Sequence, residues 1–200
     1  MELDYYAIDT SLSSLTLRAF ATAAFATPCN KPTLVIREFA GWARFTPRTF
    51  EQAYLEVKLN GSSLAVVDTL SEEHRNAIEY TMMREVLEIE KYPEIVFCSS
   101  RVSVSRAGDG QYWINLVGDL SLHGVTATLP VAAQVALVDD TLRAHGEFTF
   151  LRTCFRMKLV SVPGGMLKLK DEVKCSFDIL ARKQADLARQ KDRLFASERL

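Results

Sequence analysis

The sequence predicts an all-β fold, an antiparallel barrel or sandwich of roughly eight to ten short strands. Apolar and polar residues alternate with a period of two through most of the chain, which is the pattern of strands with one buried and one wetted face. Turn residues separate these runs at regular intervals. The chain has 200 residues, of which 48% are hydrophobic, so it can bury one large core.

The first strand regions lie in the N-terminal third of the chain. The stretch 15–25 is ambiguous, because its apolar residues fit both a strand and a helix. Between residues 55 and 59 apolar residues alternate with charged ones, and Asn60-Gly61 then leads to a second apolar run at 64–66. Asn-Gly between two such runs is a strong turn signal, so we expect a β-hairpin here.

One segment breaks the strand pattern and predicts a helix from Ser71 to about Glu90. Ser71 is the expected N-cap, and acids occupy the next two positions, in the first turn. Apolar residues then recur at helical spacing along one stripe, so we expect the helix to pack on the outside of the barrel or over one end. Its Met82-Met83 pair is more typical of core packing than of a ligand entrance.

The rest of the chain is predicted to be a series of strands joined by turns. The strand patterns lie at 95–97, 112–122, 129–137, 143–150 and 173–179, and the turns at 107–110, 138–140 and 163–165. After residue 180 the chain is rich in charge and in helix formers. We therefore expect two parts, a barrel domain at 1–180 and a charged C-terminal helical tail at 181–200.

The charge balance argues against nucleic acid and anionic lipid surfaces as partners. The chain has 24 Lys and Arg against 25 Asp and Glu, a net charge of -1. Its first residues carry acids where a secretory signal needs a basic region and an apolar run. No run of residues reaches the roughly 18 consecutive apolar positions of a membrane span. We expect a soluble, cytoplasmic protein without stable membrane insertion.

No residue pattern in the chain predicts a catalytic or metal site. His74, His123 and His145 lie in unrelated elements, without a second ligand at zinc-site spacing. The cysteines are scattered singly, and those within strand patterns, Cys98 and Cys175, are typical of small buried hydrophobes. Nucleophile-elbow, phosphate-loop and dinucleotide motifs are missing. We therefore expect no catalytic residue, no metal and no cofactor.

The predicted interior is apolar and leaves two alternatives open. Alternation places Leu15, Leu17 and the alanines at 19, 21 and 23 on one face of a strand. Facing them from other strands we expect Phe39, Phe45, Phe97, Phe148, Phe150 and Phe177. An eight-stranded barrel is either filled by its own side chains or has room for one elongated ligand. The small residues favour a cavity, whereas ordinary matching of alanine against phenylalanine gives a solid core.

Three segments of the chain carry motifs in a defined order. Residues 6–9 read Tyr-Ala-Ile-Asp and are followed at 14–17 by Ser-Leu-Thr-Leu, residues 92–99 read Tyr-Pro-Glu-Ile-Val-Phe-Cys-Ser, and residues 118–126 read Gly-Asp-Leu-Ser-Leu-His-Gly-Val-Thr. These segments resemble the Tyr-x-Ile-Asp opening, the Tyr-Pro-x-Ile-x-Phe-x-Ser strand and the Gly-x-Leu-x-(Leu/Ile)-x-Gly-Val-Thr corner of the YceI-like family. That family comprises the lipocalin-like polyisoprenoid-binding proteins of bacteria.

The resemblance implies an antiparallel eight-stranded lipocalin-like up-and-down barrel with one helix between its strands, and it makes the stretch 15–25 a strand. It also implies a long apolar pocket for an isoprenoid chain or a similar amphiphile. Together with strand alternation, it gives the expected ligand-binding residues as Leu15, Leu17, Ala19, Phe39, Phe45, Leu64, Val66, Ile95, Phe97, Leu120, Leu122, Phe148, Phe150, Phe155, Met157, Val173, Phe177 and Ile179. Phe155 and Met157 lie near a family Arg-x-x-Phe-Gly segment and are expected to close one end.

Three functional hypotheses follow. The preferred one is a non-enzymatic protein that binds or carries an isoprenoid or fatty-chain lipid in the barrel. The second is a lipid-acting enzyme that uses the barrel as a chamber, with His123, His145 or Arg152 facing inward. The third is a solid-core structural or stress protein without a ligand, whose charged tail mediates self-association, with a homodimer as the expected assembly.

Overall fold

A computed structural model of the chain describes residues 3–23, 33–47, 49–158 and 167–185. The strands in these ranges are β1 (Asp4–Ile8), β2 (Ser14–Ala23), β3 (Thr33–Ile36), β4 (Phe39–Phe45), β5 (Tyr54–Asn60), β6 (Leu64–Val66), β7 (Glu94–Gly108), β8 (Gln111–Leu122), β9 (Val125–Val138), β10 (Thr141–Leu151) and β11 (Leu167–Lys183). Helix α1 (Glu72–Thr81) continues into a π-helical turn at Met82–Val86. Short 3-10 turns occupy Thr10–Leu12, Gly61–Ser63 and Arg152–Phe155.

The strands close into an antiparallel barrel with eight strand positions. The ring runs in the order β1, β4, β5, β7, β8, β9, β10 and β11, and β11 pairs back with β1. Strands β2, β3 and β6 extend the positions of β1, β4 and β5, respectively. β2 pairs with another part of β11, β3 pairs with β2, and β6 pairs with β3. Successive strand positions are neighbours in the barrel, so the predicted up-and-down barrel is confirmed.

The hairpin predicted at Asn60-Gly61 does not form. β5 pairs with β4 and β7, whereas β6 pairs with β3, so the two runs are segments of one interrupted strand position. A tight Asn-Gly hairpin needs positive φ at both turn residues, but Asn60 has a φ of -88°. Its side chain accepts a hydrogen bond from the Ser62 N–H at 3.1 Å and initiates a 3-10 turn. The prediction was wrong because asparagine favours this local turn as well.

Helix α1 begins where the sequence predicts and ends earlier. Ser71 is the N-cap, and its hydroxyl accepts a hydrogen bond from the His74 N–H. The sequence predicts a helix to about Glu90, but the Leu87 N–H bonds to the Met82 carbonyl, five residues back, in a π-helical turn. Glu88 then has a positive φ of 47°, which ends the helical segment.

The helix covers a seam in the barrel wall. Pairing between β5 and β7 ends at Asn60 and Glu94, and β6 continues beyond that point with β3 as its strand partner. On the other edge of β6, the Val66 N–H donates to Oε1 of Glu79 on α1 at 2.8 Å. The helical residues 72–87, called the lid below, therefore close the end of the barrel at which β6 and β7 separate.

The remaining predictions concern strand ends and turns. The stretch 15–25 is a strand as far as Ala23, and the turns at 107–110 and 138–140 join consecutive strands. β11 continues past residue 180 to Lys183, which pairs with Tyr6. The predicted turn at 163–165 and the predicted tail beyond residue 185 lie outside the described residues. No helix in the described ranges is long and apolar enough to cross a membrane.

Candidate functional site

The barrel contains a cavity of about 240 Å³. Every strand position contributes to its wall, because alternate residues of a strand face the same side of the sheet. β8, for example, contributes Ile114, Leu116, Leu120 and Leu122. The described wall is almost entirely aliphatic and aromatic, so the cavity offers apolar contacts on all sides.

Two glycines make room for aromatic rings on this wall. A Cβ on Gly118 would lie 2.5 Å from Cζ of Phe97, and a Cβ on Gly146 would lie 2.7 Å from Cζ of Phe177. Both rings line the cavity. A side chain at either glycine would displace the neighbouring ring, so these glycines help to set the shape of the cavity.

Most residues predicted to contact a ligand lie on the cavity wall. These are Leu15, Leu17, Phe45, Leu64, Ile95, Phe97, Leu120, Leu122, Phe148, Phe150, Met157, Val173, Phe177 and Ile179. Val66 and Phe155 instead lie in the core around the cavity, where the Phe155 ring packs edge-on against Phe150. Phe39 is also buried away from the cavity, across from Leu59 of β5. The side chain of Ala19 lies outside the described residues.

The sequence predicts a wall of small residues on β2. The side chains at positions 19, 21 and 23, which belong to this wall, lie outside the described residues. The described wall contains other alanines, namely Ala43, Ala53, Ala133, Ala144 and Ala181. Small side chains opposite phenylalanines leave space inside a barrel of this size. These alanines are small wall residues of the kind that the sequence predicts for β2.

Sequence reasoning missed two groups of wall residues. The first consists of further inward-facing strand residues, such as Leu34, Val57 and Val131, which follow the same alternation. The second is Met82, Val86 and Leu87 of the lid. The sequence favours core packing for Met82, and the structure places it at the cavity, because the lid lies across the end of the barrel.

The two ends of the interior differ in chemistry. At one end, the ring of Phe45 stacks between Tyr6 and Phe50, with centroid distances of 5.1 Å and 4.9 Å, and Phe50 meets Tyr112 edge-on at 4.6 Å. At the other end, the lid covers a mainly aliphatic cluster. One end is therefore closed by stacked aromatic rings, whereas the other is closed by a helical segment packed against the strands.

Four polar residues contribute to the described wall: Arg44, Tyr54, Arg152 and Cys175. Arg44 and Tyr54 are cross-strand partners, with the guanidinium carbon 5.6 Å from the ring centroid. Alternation with Phe45 places these two side chains on the opposite face of the strand from the interior. Burial raises the pKa of Cys175 to about 12, so its thiol is neutral.

Arg152 is a buried charge near the lid end of the cavity. Its side chain is 5% exposed, Nη1 donates a hydrogen bond to the Met157 carbonyl, and Nη2 lies 3.6 Å from Oδ1 of Asp171. The hydroxyl and the N–H of Thr153 donate to Asp171, and these bonds, with the Arg152 charge, lower the pKa of Asp171. Nε of Arg152 is buried without a hydrogen-bond partner among the described residues.

The histidines do not form a reactive pair in the cavity. His145 is exposed on β10. His123 lies at the corner between β8 and β9, where Nδ1 donates to the Phe155 carbonyl at 3.0 Å and Nε2 lies 3.4 Å from Oε1 of Glu88. Of the three residues named by the enzyme hypothesis, Arg152 alone lines the cavity. The described residues also contain no group of three or more side chains arranged to hold a metal.

Comparisons with known proteins identify a family model and several solved structures. The model described as YceI-like domain matches residues 6–181. No curated protein sequence matches the chain.

The solved structures share the barrel at low sequence identity. BcnA of Burkholderia cenocepacia has a TM-score of 0.64 and 19% identity, covering 86% of this chain and 98% of that chain. A polyisoprenoid binding domain from Saccharophagus degradans, implicated in plant cell wall breakdown, has a TM-score of 0.62 and 12% identity, covering 90% and 98%. The YceI protein of Campylobacter jejuni has a TM-score of 0.55 and 13% identity, covering 76% and 84%. These similarities establish the common fold.

Proposed function

Because the chain belongs to the YceI-like domain family, we propose that it binds an isoprenoid or another long-chain amphiphile in the apolar interior of its barrel. The observation that carries the proposal is the cavity of about 240 Å³, whose wall is apolar at every strand position. The polyisoprenoid binding domain of Saccharophagus degradans, which has the same fold, supports an isoprenoid as the chain type.

The wall chemistry selects the class of ligand. Each CH₂ group moved from water to such a wall contributes about 0.8 kcal/mol, so a chain of isoprene units can bind without specific hydrogen bonds. A sugar, nucleotide or peptide would leave polar groups unpaired against the same wall, at a cost of about 1–3 kcal/mol for each group. The cavity therefore favours a fatty or isoprenoid chain over polar metabolites.

Binding without catalysis is the role that the described wall supports. Acid–base catalysis needs a proton donor or acceptor within reach of the reacting group, and the described cavity wall presents no carboxylate or histidine. A solid core is less well supported, because space remains between the inward-facing side chains. A cytoplasmic location and a homodimer formed through the tail remain predictions from the sequence.

The lipid content of the purified protein tests the proposal. Solvent extraction of gently purified protein is expected to release a long-chain lipid that mass spectrometry identifies. Added prenyl or fatty ligands are expected to raise the melting temperature of delipidated protein, because they bind the folded state. A protein that carries no lipid and shows no shift with either ligand class would overturn the proposal.

Two neighbouring alanines on β9 provide a matched pair of variants. Ala133 lines the cavity, whereas Ala132 is exposed on the outer face. Ala133→Phe fills part of the cavity and is expected to reduce lipid loading, while Ala132→Phe keeps it. Circular dichroism checks that both variants fold, and Ala144→Leu provides a milder filling of the same cavity. Equal lipid loading in all folded variants would show that the ligand lies elsewhere.

A further inference from the structure

We propose that Arg152 binds the head group of the lipid, and that this head group is neutral and presents a single acceptor oxygen, such as a hydroxyl or a carbonyl. The inference rests on the proposed function, because it concerns the polar end of a ligand held in the same cavity. It adds a specific chemical class of head group and one residue that recognises it.

The guanidinium of Arg152 has a buried N–H, at Nε, that is left for a ligand. Nη1 already donates to the Met157 carbonyl, and Nη2 faces Oδ1 of Asp171. Nε is buried without a partner among the described residues. The side chain as a whole is 5% exposed, and the residue lines the cavity. A buried donor without an acceptor is unfavourable. A ligand oxygen placed at this N–H would satisfy it.

Among the described wall residues, Arg152 is the polar side chain placed to face a ligand. Cys175 has a neutral thiol, which is a weak hydrogen-bond partner. Arg44 and Tyr54 belong to the outer face of their strands by alternation. An amphiphile whose chain fills the apolar cavity therefore finds its hydrogen-bond donor at Arg152, near the lid.

The surroundings of Arg152 disfavour a phosphate head group. A phosphate carries more than one negative charge near neutral pH and has three strong acceptor oxygens. The Asp171 carboxylate already lies 3.6 Å from Nη2, so the positive charge of Arg152 is partly compensated. Inside an apolar wall, most phosphate oxygens would have no donor, and buried unpaired charge is strongly unfavourable. A neutral oxygen needs one donor and adds no charge.

Three ligands with the same branched C20 chain test the proposal: phytol, phytane and phytyl diphosphate. Their affinities for the delipidated full-length protein can be compared by displacement of radiolabelled phytol. A hydrogen bond from a charged donor predicts that phytol binds about tenfold or more tightly than phytane. Phytyl diphosphate is expected to bind more weakly than phytol. Equal affinities for phytol and phytane, or tighter binding of the diphosphate, would overturn the head-group inference and leave the proposed function standing.

The variant Arg152→Met separates recognition from cavity shape. It is expected to bind phytane within about twofold of the wild-type affinity and to lose the preference for phytol. A preference that survives in Arg152→Met would assign the head-group contact to another residue. If the wild-type protein binds none of the three ligands, carries no lipid after gentle purification and shows no thermal shift with fatty ligands, both proposals are overturned, which distinguishes this outcome from failure of the head-group inference alone.

A second readout does not depend on that variant folding. The Nε–H resonance of Arg152 in the wild-type protein can be followed by ¹⁵N NMR during titration. Phytol is expected to shift it strongly, because a new acceptor reaches the N–H, whereas phytane is expected to leave it nearly unchanged. The same shift with both ligands would show that the resonance reports filling of the cavity, and the head-group contact would be rejected.

Discussion

The carboxylate of Glu79 accepts a hydrogen bond from the backbone N–H of Val66, with 2.8 Å between Oε1 and N. Val66 is 3% exposed, and its backbone N–H lies on the edge of β6 that faces away from β3. A buried backbone N–H needs a partner, which a neighbouring strand usually supplies. At the seam between β6 and β7, a helix side chain supplies it instead. This bond ties the lid to the barrel wall.

The variant Glu79→Ala is expected to loosen the lid. It removes the acceptor of the Val66 N–H, which should lower the free energy of unfolding by about 1–3 kcal/mol. Hydrogen exchange at Val66 should accelerate more than exchange in the centre of β8, since opening is local to the seam. Asn76→Ala, at an exposed position of the same helix, is the control. Unchanged protection of Val66 in Glu79→Ala would argue against a role for this bond.

Gly118→Ala is expected to disturb the cavity wall at Phe97. The new Cβ would lie 2.5 Å from Cζ of Phe97 and 2.6 Å from the Cys98 carbonyl oxygen. Relieving these contacts should push the ring into the cavity, destabilise the protein by about 1–3 kcal/mol and reduce lipid loading. Thermal unfolding and lipid extraction measure the two effects.

Gly108→Ala is the matched control for this prediction. Its Cβ would have the Gln111 side chain as nearest neighbour, at 3.8 Å, which is an ordinary contact. We expect little change in melting temperature. The double variant Gly118→Ala/Phe97→Leu should recover part of the lost stability, because the smaller side chain makes room. Equal stability of the two alanine variants would contradict the packing described here.

Strand alternation explains how much of the fold and cavity could be predicted. On β8, the period of two fixes which residues face inward, and Leu120 and Leu122 lie on the wall as predicted. The hairpin predicted at Asn60 was wrong because the local sequence signal fits two kinds of turn. The pairing of β6 with β3, which is a tertiary contact, decides between them. The surroundings of Arg152 could not be predicted, since Asp171 reaches it from β11 through tertiary packing.

The cysteines are expected to differ in reactivity. Cys154 is exposed, whereas Cys175 is 2% exposed and burial raises its pKa to about 12. Alkylation requires the thiolate and access to it. Iodoacetamide at neutral pH should therefore modify Cys154 in the folded protein and reach Cys175 after unfolding in urea, as peptide mass spectrometry can measure. Rapid labelling of Cys175 under native conditions would contradict its inward position on β11.

Asp171 is expected to make stability depend on pH on the acid side. Hydrogen bonds from the hydroxyl and the N–H of Thr153, helped by the charge of Arg152, lower the pKa of Asp171 below its ordinary value of 3.8. The folded state therefore binds this proton less tightly than the unfolded chain. The resulting stabilisation is present above the ordinary aspartate pKa and is lost as the pH falls through the lowered pKa of the folded state.

The variant Asp171→Asn tests this linkage through its pH profile. At pH 7 the variant should unfold at a lower denaturant concentration than the wild-type protein. The gap between the two unfolding midpoints should narrow once the pH falls below the ordinary aspartate pKa of 3.8. Thr153→Val removes the hydroxyl donor and should show a smaller gap that narrows in the same direction. A gap of constant size across this range would mean that the Asp171 charge does not stabilise the folded state, and that the site depends on the shape of the side chain alone.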